Sequence, residues 1–167
     1  AFLFDPATEF RINLTIPETS AQQLALQGMN SHGTYQPATF QIIKSDGSLA
    51  PSGPINIGVR VKGSVGSWDP YTETSKTALK ITFDPEGKGQ TFLGLKKMTL
   101  NNMRQDPSMV AETSTYRLFR AFGIHAPRTG FAKVFINGSY RGLYLNLEQY
   151  DSVSLAWNYP AIDHLYE

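Results

Sequence analysis

Asn137-Gly138 separates two strand-length stretches, Phe131 to Ile136 and Tyr140 to Leu147. An Asn-Gly pair between two such runs is the strongest short-range signal for a tight β-hairpin, because both turn positions need a positive φ. The hairpin also constrains what precedes it. Asp106-Pro107 reads as a helix start, with Asp capping free amides and Pro suited to the first helical position. The spacing predicts a helix from about Pro107 to Phe122, stopped by Gly123. Tyr116, Phe119 and Phe122 fall on one stripe that Met109 and Val110 begin, and this stripe is expected to be buried. With a strand ending at Leu100 before Asn101 and Asn102, residues 92 to 151 read as one compact strand, helix and hairpin unit.

Period-two patterns recur upstream. Phe10 to Ile16 alternates and Pro17 closes it. Glu18 to Gln27 predicts a short helix ended by Gly28. Tyr35 to Ile43 reads as a strand, Asp46-Gly47-Ser48 as a turn and Pro51 to Pro54 as a loop. Ile55 to Lys62 puts Ile55, Ile57, Val59 and Val61 on one face, with Asn56, Gly58, Arg60 and Lys62 on the other. Gly63 to Ser75 is a long polar loop holding Trp68 and Tyr71. Ala78 to Phe83 is a short strand, and 84 to 89 a turn. Residues 152 to 164 predict a short helix or packed loop. The ending His164-Leu165-Tyr166-Glu167 reads as the start of a further element, so the chain is expected to be one domain, 1–167, cut short at its C-terminal end.

Composition narrows the chemistry. The 167 residues suffice for one domain with a sizeable core. Lys plus Arg is 15 against 14 Asp plus Glu. That balance gives no reason to expect a nucleic-acid partner. The absence of cysteine excludes a disulfide framework, a thiol nucleophile and thiolate metal sites. No apolar run approaches the ~20 residues that span a membrane. The start, AFLFDPATEF, lacks the basic region and apolar core of a signal peptide.

No zinc-protease helix motif, Walker loop, dinucleotide fingerprint or nucleophile elbow is present. Gly63 to Ser67 reads either as a phosphate-contacting stretch or as an ordinary exposed loop. Lys76 and Lys80 bracket a strand start, and alternation turns Lys80 away from Leu79 and Ile81. A strand lysine facing a cleft can hold phosphates, though a solvent-facing lysine is the commoner case. Glu112 lies four positions before Tyr116, on the aromatic side of the helix. It needs a cation or hydrogen-bond partner there, or it simply favours the helix dipole. Lys80 or Lys76 is the expected cation. Arg60 and Lys62 share one sheet face, and Arg120 and Arg128 flank the helix end. Glu148 and Asp151 follow the hairpin, but two carboxylates leave a metal site incomplete. His32, His125 and His164 share no ligand spacing. Trp68 reads as a stacking residue or a loop anchor. Asn13-Leu14-Thr15 and Asn137-Gly138-Ser139 match the glycosylation pattern, but one lies in a strand and the other in a tight turn.

Several blocks together resemble the CotH family of spore coat and secreted proteins. They are Gly58 to Gly63, SKTALKITF (75 to 83), FLGLKKMTLNN (92 to 102), the long run from Asp106 to Asp151, and HLYE (164 to 167). The resemblance covers about residues 10 to 167. It implies an α+β, antiparallel-sheet-rich atypical protein-kinase-like fold, of which this chain would be the N-terminal part. It further implies ATP and Mg2+ as cofactors and transfer of phosphate to Ser or Thr of a surface or coat protein. Lys80 and Glu112 then match the catalytic lysine–glutamate pair, and Lys76, Arg60, Lys62 and Glu148 match nucleotide-side positions. The family's metal-binding aspartates are expected beyond Glu167, so the rest of that domain is an expected partner and this chain alone is expected to be inactive. An extracellular, cell-surface or spore-coat location follows from the same resemblance. The alternative is a non-catalytic surface-binding, adhesion or carbohydrate-associated module.

Overall fold

The computed structural model describes residues 2–5, 7–29, 33–151, 155, 156 and 159. Most of the 152 to 164 segment, the HLYE block, His32 and His164 lie outside the described residues. Seven strands form in chain order: β1 (Phe10–Thr15), β2 (Gln36–Lys44), β3 (Leu49–Val61), β4 (Leu79–Thr82), β5 (Lys97–Asn101), β6 (Thr129–Ile136) and β7 (Ser139–Glu148). Two α-helices join them, α1 (Glu18–Ala25) and α2 (Ala111–Ala121), and a 3-10 turn covers Phe2–Phe4.

The strands close into a barrel in the order β1-β2-β3-β4-β5-β7-β6. All neighbours are antiparallel except β1 and β6, which run parallel from Arg11↔Lys133 to Leu14↔Ile136. This overturns the expected kinase-like fold. That expectation needed a curled sheet with an open edge to await the rest of a larger domain. Here the β1–β6 pairing joins the two edges, so among the described residues each strand has a neighbour on both sides and the named α-helices are two short ones.

Alternation fills the barrel. Along β1, Phe10, Ile12 and Leu14 are buried while Arg11 and Asn13 are not. Val59 and Val61 of β3 face inward beside Leu79 and Ile81 of β4. Each such side chain contributes about 1.5–3 kcal/mol through burial. At one barrel end Phe40, Phe83 and Phe92 meet ring to ring, with centroids 5.1 to 5.3 Å apart. The 3-10 turn enters the same end. Leu3 is fully buried, and its carbonyl accepts the Asn146 side-chain amide at 2.9 Å. At the opposite end lie α1 and the long loop after β3, which Tyr144 anchors by donating to the Thr77 carbonyl at 3.1 Å.

Three local readings change. Residues 51 to 54, expected as a loop, belong to β3. Phe40 pairs with Ile55 and Ile42 with Ala50, so 51 to 54 bulge opposite one residue of β2. A proline there gives up no ladder bond. Helix α2 begins at Ala111 rather than Pro107. Val110 takes the N-cap position that was expected of Asp106, whose carboxylate accepts the Ala111 amide at 2.8 Å after a turn through Ser108. The apolar stripe of α2 is not buried: Phe119 is 40% and Phe122 74% exposed, and Met109 and Val110 are exposed as well. Meanwhile the β6–β7 turn has its expected form, with φ of 49° at Asn137 and 81° at Gly138.

Gly130 of β6 touches the plug. A β-carbon there would lie 2.3 Å from the Leu3 carbonyl oxygen. Gly130→Ala is therefore expected to cost about 1–3 kcal/mol, read as a lower denaturant midpoint. An unchanged midpoint would show that the Phe2–Phe4 turn is not packed against β6.

Candidate functional site

Strand register sets the outer face of the β3–β4–β5 wall. Arg60 stands opposite Lys80, and Lys80 opposite Thr99. Their sequence neighbours Val59, Val61, Leu79 and Ile81 are buried inside, so alternation turns Arg60 and Lys80 outward. Lys62 and Asn101 fall two residues further along the same face. Arg60 also stacks over the Tyr35 ring, 5.4 Å from its centroid.

Helix α2 lies across the neighbouring wall with its polar side inward. Its one buried residue is Thr113, whose hydroxyl meets that of Thr129 at 2.5 Å. Glu112 accepts a hydrogen bond from the Asn101 side-chain amide at 2.7 Å and a longer one from the Tyr116 hydroxyl at 3.4 Å. Burial pushes the Lys62 ammonium below its ordinary value of 10.5, and the Glu112 carboxylate pulls it part of the way back. Burial, followed by the charge of Glu112, pushes the Tyr116 phenol up. The structure thus gathers Glu112, Asn101, Tyr116 and Lys62 at one end of the barrel wall, with Arg60 and Lys80 on the adjoining strands.

The other expected residues lie elsewhere. Lys76 sits in the long loop, its stem against Gly142 and its ammonium 5.5 Å from the Tyr144 ring centroid. Burial lowers its pKa. Glu148 stands opposite Met98, three residues from Asn101 along β5, or roughly 10 Å away. Its carboxylate accepts three bonds from Arg128: from the backbone amide at 3.1 Å, Nε at 2.9 Å and Nη2 at 2.6 Å. The guanidinium rests on the Phe4 ring, 4.7 Å from its centroid. The hydrogen bond to Glu148 raises the Arg128 pKa. The Gly63 to Ser67 stretch bonds to itself, the Ser64 carbonyl accepting the amides of Ser67 and Trp68. Trp68 packs partly buried against the core. Asn137, in one of the two glycosylation patterns, spends its side chain on the Ile16 main chain.

Among the described residues no three His, Asp or Glu side chains gather to hold a metal ion. The described residues therefore supply no cluster that fits Mg2+. Sequence reasoning missed Asn101 as the partner of Glu112 and Arg128 as the partner of Glu148. Counting outward from the Asn137-Gly138 turn brings residue 128 opposite residue 147, and the register shift between Val134 and Phe135 moves it to 148, which no sequence signal announced.

A sequence model of the CotH kinase protein family matches residues 59–166, more than half of the chain. The chain belongs to the CotH family. The match takes in β4, β5, α2, β6 and β7, hence both the Glu112 cluster and the Arg128–Glu148 pair. Two proteins of Bacillus subtilis (strain 168) are similar to this CotH-family chain. Inner spore coat protein H is 36% identical over 67 residues, 40% of this chain and 18% of that protein. Inner spore coat protein H-like protein is 31% identical over 61 residues, 36% of this chain and 20% of that protein. The alignments span about a fifth of these relatives.

Two outcomes follow. Because burial lowers the pKa of Lys62 in the fold, the unfolded chain keeps that proton to higher pH, and the cost of burying the charge fades as pH rises toward 10.5. Lys62→Met should therefore stabilise the fold at neutral pH by a margin that narrows as pH climbs through the lysine range. A margin constant with pH, in paired denaturant titrations, would rule this out. Glu148→Gln breaks the charge-assisted bonds to a half-buried Arg128 and should lower stability by about 1–3 kcal/mol; a neutral effect in thermal unfolding would show the pair is not holding that barrel end.

Proposed function

We propose that this chain is a non-catalytic polypeptide-binding module, used by CotH-family proteins in a surface or coat layer. The observation that carries the reading is the orientation of α2. Its polar residues Glu112, Thr113 and Tyr116 turn to the barrel, and its apolar residues Leu118, Phe119 and Phe122 turn to solvent. Exposed apolar patches of this kind are characteristic of interaction sites. The coat or surface setting comes from the family and from the printed names of the two relatives. No helix among the described residues is long and apolar enough to cross a membrane.

A second reading keeps phosphoryl transfer. What favours it is the family description together with the electrostatic coupling of Lys62 to Glu112 beside the outward-facing Arg60 and Lys80. On this reading ATP with Mg2+ would serve as phosphate source, a coat or surface protein as acceptor, and Arg60, Lys62, Lys76 and Lys80 as candidates for holding phosphate groups. Glu112 would orient a lysine. Glu148 would first have to leave Arg128.

The two readings separate in one comparison. The immobilised chain is expected to retain coat or surface-layer proteins, to lose that retention in Phe122→Asp, and to incorporate no labelled phosphate into them from ATP and Mg2+. Phosphate incorporation that vanishes in Lys80→Ala and Glu112→Ala, with retention indifferent to Phe122, would replace the first reading by the second.

A further inference from the structure

Helix α2 is amphipathic in the reverse sense for a helix on a barrel wall. The residues nearest the barrel are Glu112, Thr113, Tyr116 and Arg120, at spacings of one, three and four. Ala111, Thr115, Leu118 and Phe122 recur at spacings of four and three on the far side, and Phe119 adjoins them. Leu118 is 55% exposed, Phe122 74%, and Ile124, just past the helix, 55%. This is the i, i+3/i+4, i+7 arrangement by which a helix presents anchors to another helix.

The exposed charge on the helix beside the stripe is a cation. Arg117 is exposed between the stripe and the barrel. Arg120 donates to the Ala126 carbonyl; after burial, the Glu148 carboxylate acts on it most strongly, ahead of the like charges of Arg117 and Arg128. The nearby acids are turned elsewhere. Asp106 accepts the Ala111 amide, Glu112 is held by Asn101 and Tyr116, and Glu148 is clasped by Arg128. An occupant that meets this surface must bring apolar anchors and supply carboxylates at its flank.

Size and composition narrow the occupant further. The 11 residues of α2 extend roughly 16 Å, about three helical turns. Such a strip is small beside the ~800 Å2 per partner of a stable pair of globular proteins, which disfavours a second copy of this chain. A lipid surface fits less well too, because Ser114 and Thr115 interrupt the exposed face and Arg117 is one exposed cation where membrane-surface helices carry several.

We propose that the outward face of α2 seats an amphipathic helix of another protein, with its apolar residues on Leu118, Phe119 and Phe122 and its flanking carboxylates toward Arg117. The proposal rests on the binding-module reading and names the partner's chemistry. The probe is a fluorescent helical peptide of about 18 residues, long enough to hold a helix in water, with a leucine stripe flanked by glutamates. A twin peptide carries lysines instead. Anisotropy titrations of the whole chain should show saturable binding of the glutamate peptide and binding of the lysine twin at least about tenfold weaker. Phe122→Asp should abolish binding with the melting curve unchanged, since that side chain is exposed. Arg117→Glu should reverse the preference between the twins.

Equal binding of both peptides, or preference for the lysine twin, overturns the acidic partner and leaves the binding module standing. Concentration-dependent dimers that Phe122→Asp dissolves, or co-sedimentation with phosphatidylcholine–phosphatidylserine vesicles, assign the face to a second copy or a lipid surface and overturn the proposal likewise. If neither peptide binds, the proposal falls, and if coat-layer retention is also indifferent to Phe122, the reading beneath it falls as well.

Discussion

The parallel pairing of β1 with β6 is the contact on which the architecture depends. Without it the sheet would have two free edges; with it, seven strands close on themselves. Four register pairs make the seam, from Arg11↔Lys133 to Leu14↔Ile136. Beyond them Asn137 extends it with side-chain bonds. Its carbonyl oxygen accepts the Ile16 amide at 2.8 Å, and its amide donates to the Ile16 carbonyl at 2.9 Å. Its backbone amide donates to the Leu14 carbonyl. One asparagine thus turns the β6–β7 hairpin and completes the seam. Closure removes open strand edges from the sheet, which would otherwise invite pairing with another chain.

Closure also decides where polar chemistry can sit. The interior is filled by side chains such as Ile12, Val59, Leu79, Ile81 and Val134. Glu148, the one buried carboxylate among the described residues, is bound three times over by Arg128. The charged residues of the β3–β4–β5 wall must therefore lie outside, where Arg60 and Lys80 face each other across adjacent strands. Like charges directly opposite cost stability, and burial adds a penalty at Lys62 that Glu112 only partly offsets. A polar helix face on the neighbouring wall resolves part of the problem. Glu112 supplies negative charge, and Asn101 and Tyr116 hold it in place.

Much of this was legible in the chain and some was not, for separate physical reasons. The hairpin at Asn137-Gly138 was legible because both turn positions require positive φ, and the alternation of Val59, Val61, Leu79 and Ile81 because a strand has two faces. Barrel closure was not legible: it joins strands more than 100 residues apart, and no local pattern encodes a parallel register. The depth of α2 was misread for a subtler reason. Periodicity tells which residues share a helix face, not which face meets the core. Leu118, Phe119 and Phe122 share a side, but Thr113, Glu112 and Tyr116 take the barrel because the wall beneath offers Thr129 and Asn101 as hydrogen-bond partners. The family resemblance pointed to Glu112 through residue identities, and Asn101, read only as a strand breaker, supplies a donor to it.

The reversed helix separates stability from the recognition proposed for it. The folding free energy of the barrel comes from interior side chains that α2 scarcely touches; of its residues only Thr113 is buried. Its apolar side can therefore change without emptying the core, while its polar side keeps it in place through a few directional bonds. Hydrogen bonds fix orientation more sharply than apolar contact, which is non-directional. A helix docked through Thr113–Thr129 and Glu112–Asn101 holds Leu118, Phe119 and Phe122 at fixed positions before any partner arrives. Because the helix is already folded, association would not have to supply its ordering entropy, and a small apolar strip suffices where a flexible segment of the same composition would not.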